Sequence, residues 1–191
     1  MYVLALNGSH HKEGNTAYLL NRTLEACAEM GAETELLSLH QIMNGQKCPF
    51  CVACSSPCDR RCYRGTELER AYEKVTRADA VIFGSPVYFG SMTAQMKAFF
   101  DKTRYVRAEK SWIGKPAAAI AVGGSKYGGQ ENTISAIHSV LLVEGMTILG
   151  DGHPAFGAGN FGVPAQNPAD KDEFAKQKAL SLARRIMELD K

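Results

Sequence analysis

The sequence predicts an α/β protein: a doubly wound, five-stranded parallel sheet in the order 2-1-3-4-5. Short continuous apolar runs recur along the chain, as in strands covered on both faces, and breaks rich in Gly, Ser, Asn or Pro follow them. After most breaks, apolar residues return at three- and four-residue steps, the period of a helix that buries one side. Alternating strands and helices need crossover connections, and right-handed crossovers return the chain to one parallel sheet. The 191 residues, 45% hydrophobic and 22% charged, suffice for one domain spanning 1–191.

The first strand is expected over Met1 to Leu6, followed by a polar break from Asn7 to Thr16 and a helix with Ala17, Leu20, Leu24, Cys27 and Met30 inward, ended by Gly31. Cys27 reads as a small core residue. Glu33 to Leu39 carries charge, as suits an outer strand, and a cysteine-rich loop follows from about Gln41 to Gly65. Thr66 with Glu69 three positions on forms a capping box for a helix through Ala71 and Val75. Ala80 to Gly84 is the third strand; beyond the break Ser85 to Gly90, a helix turns Met92, Met96, Phe99, Phe100 and Thr103 inward. The fourth strand covers Ala117 to Val122, a glycine-rich loop Gly123 to Gly129, and the next helix carries Ile134, Ile137 and Leu141. Thr147 to Leu149 is the fifth strand, Gly150 to Pro168 a long loop, and a last helix buries Phe174, Ala179, Leu182, Ala183, Ile186 and Leu189.

A net charge of +2 without long like-charge runs gives no reason to expect nucleic acid or an anionic membrane as partner. The first residues lack a basic segment and a cleavage site, and no stretch of eighteen apolar residues occurs, so the expected compartment is the cytoplasm and no membrane span is expected. The five histidines form no nucleophile triad or metal pattern; His10 and His11 can add hydrogen bonds in the first loop, and His138 falls in a helix.

In the predicted topology the special loops all follow strands, so they meet at the carboxyl edge, where open α/β sheets bind ligands near the reversal of strand order. Ser9, Asn15 and Thr16 surround the start of the first helix, whose free amides and dipole attract an anion such as a phosphate; an ordinary capped turn is the alternative. Neither a P-loop nor a Gly-x-Gly-x-x-Gly fingerprint is present. Gly84 to Gly90 offers backbone stiffened by Pro86 beside Tyr88 and Phe89, which could hold a flat heteroaromatic ring, although the two aromatics could equally be core or interface residues.

Five of the six cysteines lie within fifteen residues, at Cys48, Cys51, Cys54, Cys58 and Cys62. Without an export signal, a metal centre or redox thiols explain them better than structural disulfides. Zinc sites usually join two separated cysteine pairs, and this run has no such separation. A [4Fe-4S] cube takes one thiolate per iron, and close spacing in a turning loop suits it; zinc, free thiols or a redox disulfide are the alternatives.

Asn7-Gly-Ser, Gly14-Asn-Thr, the run from Gly84 to Lys97 and Gly-Gly-Gln-Glu from Gly128 together resemble the NADPH-dependent FMN reductase-like branch of the flavodoxin-like proteins. The compact cysteine run resembles the iron-sulfur flavoproteins within that branch. The resemblance implies FMN, its phosphate at Ser9, His11, Asn15 and Thr16, and its ring at Pro86, Val87, Tyr88, Phe89 and Gly90 and around Gly124 and Gly129. It also implies a [4Fe-4S] cluster on three cysteines at two-residue gaps, Cys48, Cys51 and Cys54, and a fourth four to seven residues on. Cys62, after a gap of seven, fits; Cys58, after three, fits the ferredoxin-like run. The chain departs from the family at Cys62-Tyr-Arg-Gly-Thr-Glu-Leu, where many relatives have a cysteine followed shortly by an acidic pair.

The expected function is FMN-dependent electron transfer between a one-electron carrier such as ferredoxin and an acceptor, with no side chain acting as acid or base. The alternatives are an NAD(P)H-dependent FMN or quinone reductase without a cluster and a zinc-stabilised redox sensor or binding module. Lys47, Arg60, Arg61 and Arg64 are solvated charges or, more sharply, a patch that steers an acidic donor. The resemblance implies a homodimer or homotetramer.

Overall fold

The computed structural model describes residues 1–189. Its elements are β1 (Tyr2–Asn7), α1 (Asn15–Glu29), β2 (Glu33–Ser38), α2 (Leu39–Asn44), α3 (Glu67–Arg77), β3 (Ala80–Pro86), α4 (Ala94–Asp101), α5 (Arg104–Ala108), β4 (Pro116–Gly123), α6 (Gln130–Val143), β5 (Thr147–Ile148), β6 (Val163–Gln166), a 3-10 turn (Ala169–Lys171) and α7 (Glu173–Met187). The sheet runs β2-β1-β3-β4-β5 with all pairings parallel, the order expected from the sequence. None of its described helices is long and apolar enough to cross a membrane.

Alternation along the strands sends side chains to two cores. On one face Leu4, Leu6, Val81 and Phe83 pack with residues of α2, α3, α4 and α6. On the other, Val3, Ala5, Ile82 and Ile120 meet α1 and α7. Both faces are covered, which is why β1, β3 and β4 read as unbroken apolar runs. Cys27 lies fully buried in the second core, where burial pushes its thiol up to about 12.

Several details differ from expectation. The loop Gly150 to Pro168 contains β6, which pairs with the end of β4 from Ile120 to Gly123, whereas β5 pairs with its start at Pro116 and Ala117. The fifth strand is therefore split, and the intervening segment is anchored by buried Asp151, whose Oδ2 lies 3.0 Å from Lys178 Nζ. Glycine and proline density masked β6, a four-residue strand with Pro164 inside it. Two short helices were also missed: α2 begins where the cysteine loop was expected, and α5 follows α4 directly. Met30 and Leu189 fall beyond their helices and are exposed, and Phe174 faces outward in the first turn of α7 while Ala175 takes the buried position. The Thr66 cap forms with a shift: its hydroxyl accepts from Leu68 N at 3.2 Å, and Glu69 reaches back to Gly65 N at 2.6 Å.

Glu144, at the C-terminus of α6, is buried; Thr103 Oγ1 donates to its Oε1 at 2.6 Å, while Oε2 has no hydrogen-bond partner among the described residues. Burial pushes its carboxyl above the ordinary range, against the lowering effects of Thr103 and Arg107. The folded state thus holds this proton more tightly than the unfolded chain. The associated stability is full below the ordinary carboxylate pKa and is lost as pH rises through the raised value. Glu144→Gln is expected to stabilise the protein by about 1 kcal/mol at mildly alkaline pH, and less under acid, as read by urea unfolding.

Candidate functional site

The loop after β1 is braced by its own side chains. Ser9 N donates to Asn7 Oδ1 at 2.9 Å, His11 N to Ser9 Oγ at 3.1 Å, and Gly8 N to Gly84 O at 2.7 Å, which ties the ends of β1 and β3. A Cβ on Gly8 would come 2.8 Å from Met96 Cε and 3.1 Å from Gly84 O, so only glycine permits that approach. Thr93 Oγ1 accepts from Met96 N to cap α4 and donates to Gly8 O at 2.7 Å.

The loop delivers an open helix start. Gly14 occupies the N-cap of α1, no side chain caps it and no acidic residue lies in the first turn. The amides of Asn15, Thr16 and Ala17 precede the first intrahelical acceptors, so they and the dipole face the loop. An ordinary capped turn would have filled this position. The Asn15 side chain serves elsewhere: Nδ2 donates to Asn167 Oδ1 at 3.0 Å and Oδ1 accepts from Ala169 N at 2.7 Å. Its backbone amide is what remains for an anion. Ser9 and Thr16 are buried, whereas His11 is exposed.

At the ends of β3 and β4, two loops lie against each other. Val87 N donates to Val122 O at 2.9 Å, and Tyr88 and Ser91 exchange backbone bonds around Phe89 (φ 51°) and Gly90 (φ 74°), a turn with both central residues left-handed. Phe89 is held at its tip with the ring fully in solvent, at 109% relative exposure. Such an exposed aromatic on a strained turn argues against a core role. Tyr88 Oη lies 2.9 Å from His10 Nδ1, linking this turn to the first loop. Gly129 (φ 96°) caps α6, and a Cβ there would stand 3.1 Å from Gly90 Cα and 3.3 Å from Val87 Cγ1. Gly124 faces open space. Of the predicted ring-contact residues, Gly129 thus stands against Val87 and Gly90, and Tyr88 joins their turn to the loop before the uncapped helix, while no contact places Gly124 beside them. Beyond Gly129 a cleft of about 860 Å³ opens between Tyr127, Gln130, Asn167, Lys171 and Phe174.

The cysteine loop leaves α2 and returns to α3. Gln46 bridges its ends, donating to Ile42 O at 3.2 Å and accepting from Thr66 Oγ1 at 3.3 Å, and Arg104 Nη2 holds Ser55 O at 3.1 Å. None of the cysteines forms a disulfide; Cys54 is exposed and Cys48, Cys51, Cys58 and Cys62 are half-buried. Among the described residues no three Cys, His, Asp or Glu side chains converge at ligand distance, so the structure does not gather the four predicted ligands. The donor chemistry nevertheless fits a thiolate-bound centre: five free thiols share one loop. A buried donor also stands against one of its sulfurs. Lys102, 2% exposed, donates from Nζ to Cys62 Sγ at 3.3 Å. Tyr63, equally buried, has a hydroxyl without a hydrogen-bond partner among the described residues, and burial above all, then the neighbouring Cys58 and Cys62, pushes its pKa up. Tyr72, Phe99 and Trp112 floor this region, with Tyr63 and Tyr72 rings 5.2 Å apart.

The basic residues of the loop are largely engaged. Arg60 pairs with Glu69 at 2.9 Å and lies over the Tyr105 ring, and Arg61 pairs with Asp59, whose carboxyl it holds below the usual range. This favours local charge balance over a steering patch at these two positions. Sequence reasoning missed Lys102 and Tyr63. A signal existed for the lysine, which sits three residues after inward-facing Phe99.

Residues 1–161 match the family described as NADPH-dependent FMN reductase. The chain is 35% identical over 192 residues to an iron-sulfur flavoprotein of Methanocaldococcus jannaschii, covering 100% of this chain and 98% of that protein. The chain belongs to the iron-sulfur flavoprotein branch of this family. A second iron-sulfur flavoprotein, from Methanosarcina thermophila, is 33% identical over 191 residues, with 99% of this chain and 95% of that protein covered. Among solved structures, a flavodoxin described as WrbA-like from Agrobacterium tumefaciens superposes with a TM-score of 0.68 at 16% identity, over 98% of this chain and 95% of that one. That likeness shows a flavodoxin-like fold for this chain. This family membership makes the chain a flavin-dependent oxidoreductase.

Proposed function

We propose that the protein binds FMN at the carboxyl edge of β1, β3 and β4 and a [4Fe-4S] cluster on Cys48, Cys51, Cys54 and Cys62, and passes electrons between a one-electron carrier and an acceptor. The observation that carries the flavin reading is the uncapped start of α1, free of acidic residues and flanked by the paired loops at Gly90 and Gly129. It lies between β1 and β3, where the strand order reverses.

The phosphate would take the amides of Asn15 and Thr16, with the hydroxyls of Ser9 and Thr16 and the His11 ring as further donors. Backbone from Pro86 to Gly90 and at Gly124 and Gly129 would orient the ring, and Tyr88 and Phe89 would shield it from water. Bound flavin exchanges one or two electrons and a cluster one, which joins the two kinds of redox chemistry. The chain's own part is placement and electrostatics; no side chain needs to move a proton. A ferredoxin-like protein is the proposed one-electron donor. The family's description supports a second reading, in which NADPH reduces the flavin directly.

The deciding experiment is anaerobic purification with FMN, iron, sulfide and zinc measured on one sample. One FMN per chain with matched iron and sulfide is the expected result. FMN without iron would overturn the cluster, zinc without flavin the whole reading, and rapid bleaching by NADPH would favour the second donor.

A further inference from the structure

Lys102 is an unusual residue to find where it is. It closes α4 through Lys102 N donating to Phe99 O, and its side chain runs through the floor of the cysteine loop with only 2% exposure. Among the described residues no carboxylate pairs with it; Cys62 Sγ at 3.3 Å is the hydrogen-bond partner of its ammonium. A buried ammonium is costly unless negative charge stands beside it. The residue next to that cysteine, Tyr63, also keeps a buried hydroxyl with no hydrogen-bond partner among the described residues. A buried ammonium held on a thiol sulfur and on no carboxylate is placed to face a negative centre.

We infer that Lys102 is a positioning residue for the cysteine-bound centre: its ammonium compensates the charge of the centre, holds Cys62 as the fourth ligand and sets the reduction potential. The inference rests on the cluster reading above. A cube held by four thiolates is anionic, and taking one electron from a donor adds one more negative charge. A fixed ammonium at a ligand sulfur stabilises the reduced form more than the oxidised one, because the dry surroundings weaken screening. Cys58 has no such contact, which distinguishes the two fourth-ligand candidates.

The test is a dithionite titration of the anaerobic, FMN-loaded protein followed by electron paramagnetic resonance, with iron and FMN contents as controls. Lys102→Met is expected to retain FMN and to make reduction at least tenfold less favourable, about 59 mV for one electron. Lys102→Arg, which keeps the charge, should recover most of that shift. Loss of iron in Lys102→Met with iron restored in Lys102→Arg would support the assignment equally. Should the methionine variant fail to fold, Lys102→Gln carries the same test. An iron-replete wild type whose uncharged variant keeps the original potential overturns the role of Lys102 and leaves the cluster standing. A wild type that purifies without iron overturns the cluster and this role together.

Discussion

Cys51→Ser, purified without oxygen, is expected to hold less than roughly a tenth of the wild-type iron and sulfide while keeping its FMN. A [4Fe-4S] cube needs a thiolate on each iron, and the serine hydroxyl is a harder and less acidic donor. The flavin should stay because its loops, 7–16, 86–91 and 123–129, are braced by contacts such as Gly8 N to Gly84 O and Val87 N to Val122 O, none of which involves the cysteine loop. Cys62→Ser should behave like Cys51→Ser, and Cys58→Ser like the wild type. Iron retained in Cys62→Ser but lost in Cys58→Ser would move the fourth ligand to Cys58. Cys27→Ser is the control, since that thiol is sealed in the opposite core beneath α1 and α7.

Gly129→Val should produce the converse phenotype: iron retained and FMN affinity reduced at least tenfold. Valine is strained at φ 96°, and its Cβ would press on Gly90 Cα at 3.1 Å and Val87 Cγ1 at 3.3 Å. The two loops that form the ring site would have to separate. Tenfold in affinity needs only about 1.4 kcal/mol, which is within the cost of one strained residue. The remainder of the sheet does not depend on this contact. Fluorescence titration of the apoprotein with FMN measures the change, and an unaltered dissociation constant would remove Gly129 from the ring site.

The sheet order was legible because burial on both faces leaves a pattern that survives in sequence: Val3 to Leu6 and Val81 to Phe83 are apolar without alternation. Elements supported by tertiary contacts instead of local pattern were not. β6 is four residues long and exists because β4 offers it a free edge, and α5 has only five residues, with Val106 its buried member. At the site, glycines and cysteines announced themselves by type and spacing. The supporting side chains did not: helical spacing can turn Lys102 inward, but nothing local says that it crosses 40 positions of sequence to reach Cys62, or that an asparagine crosses 152 to reach Asn167.

The division of the last parallel strand also bears on how this molecule meets its neighbours. A long open strand edge is a template on which another chain can pair, and natural sheets blunt it. Here one margin offers only two residues of β5 and four of β6, interrupted by the excursion through Asp151 and Asn160. The other margin, β2, carries Glu33 and Glu35, the latter paired with Lys74. Neither border invites strand-to-strand recruitment. The fold thereby keeps a fully parallel sheet from extending into aggregates while its carboxyl edge stays open.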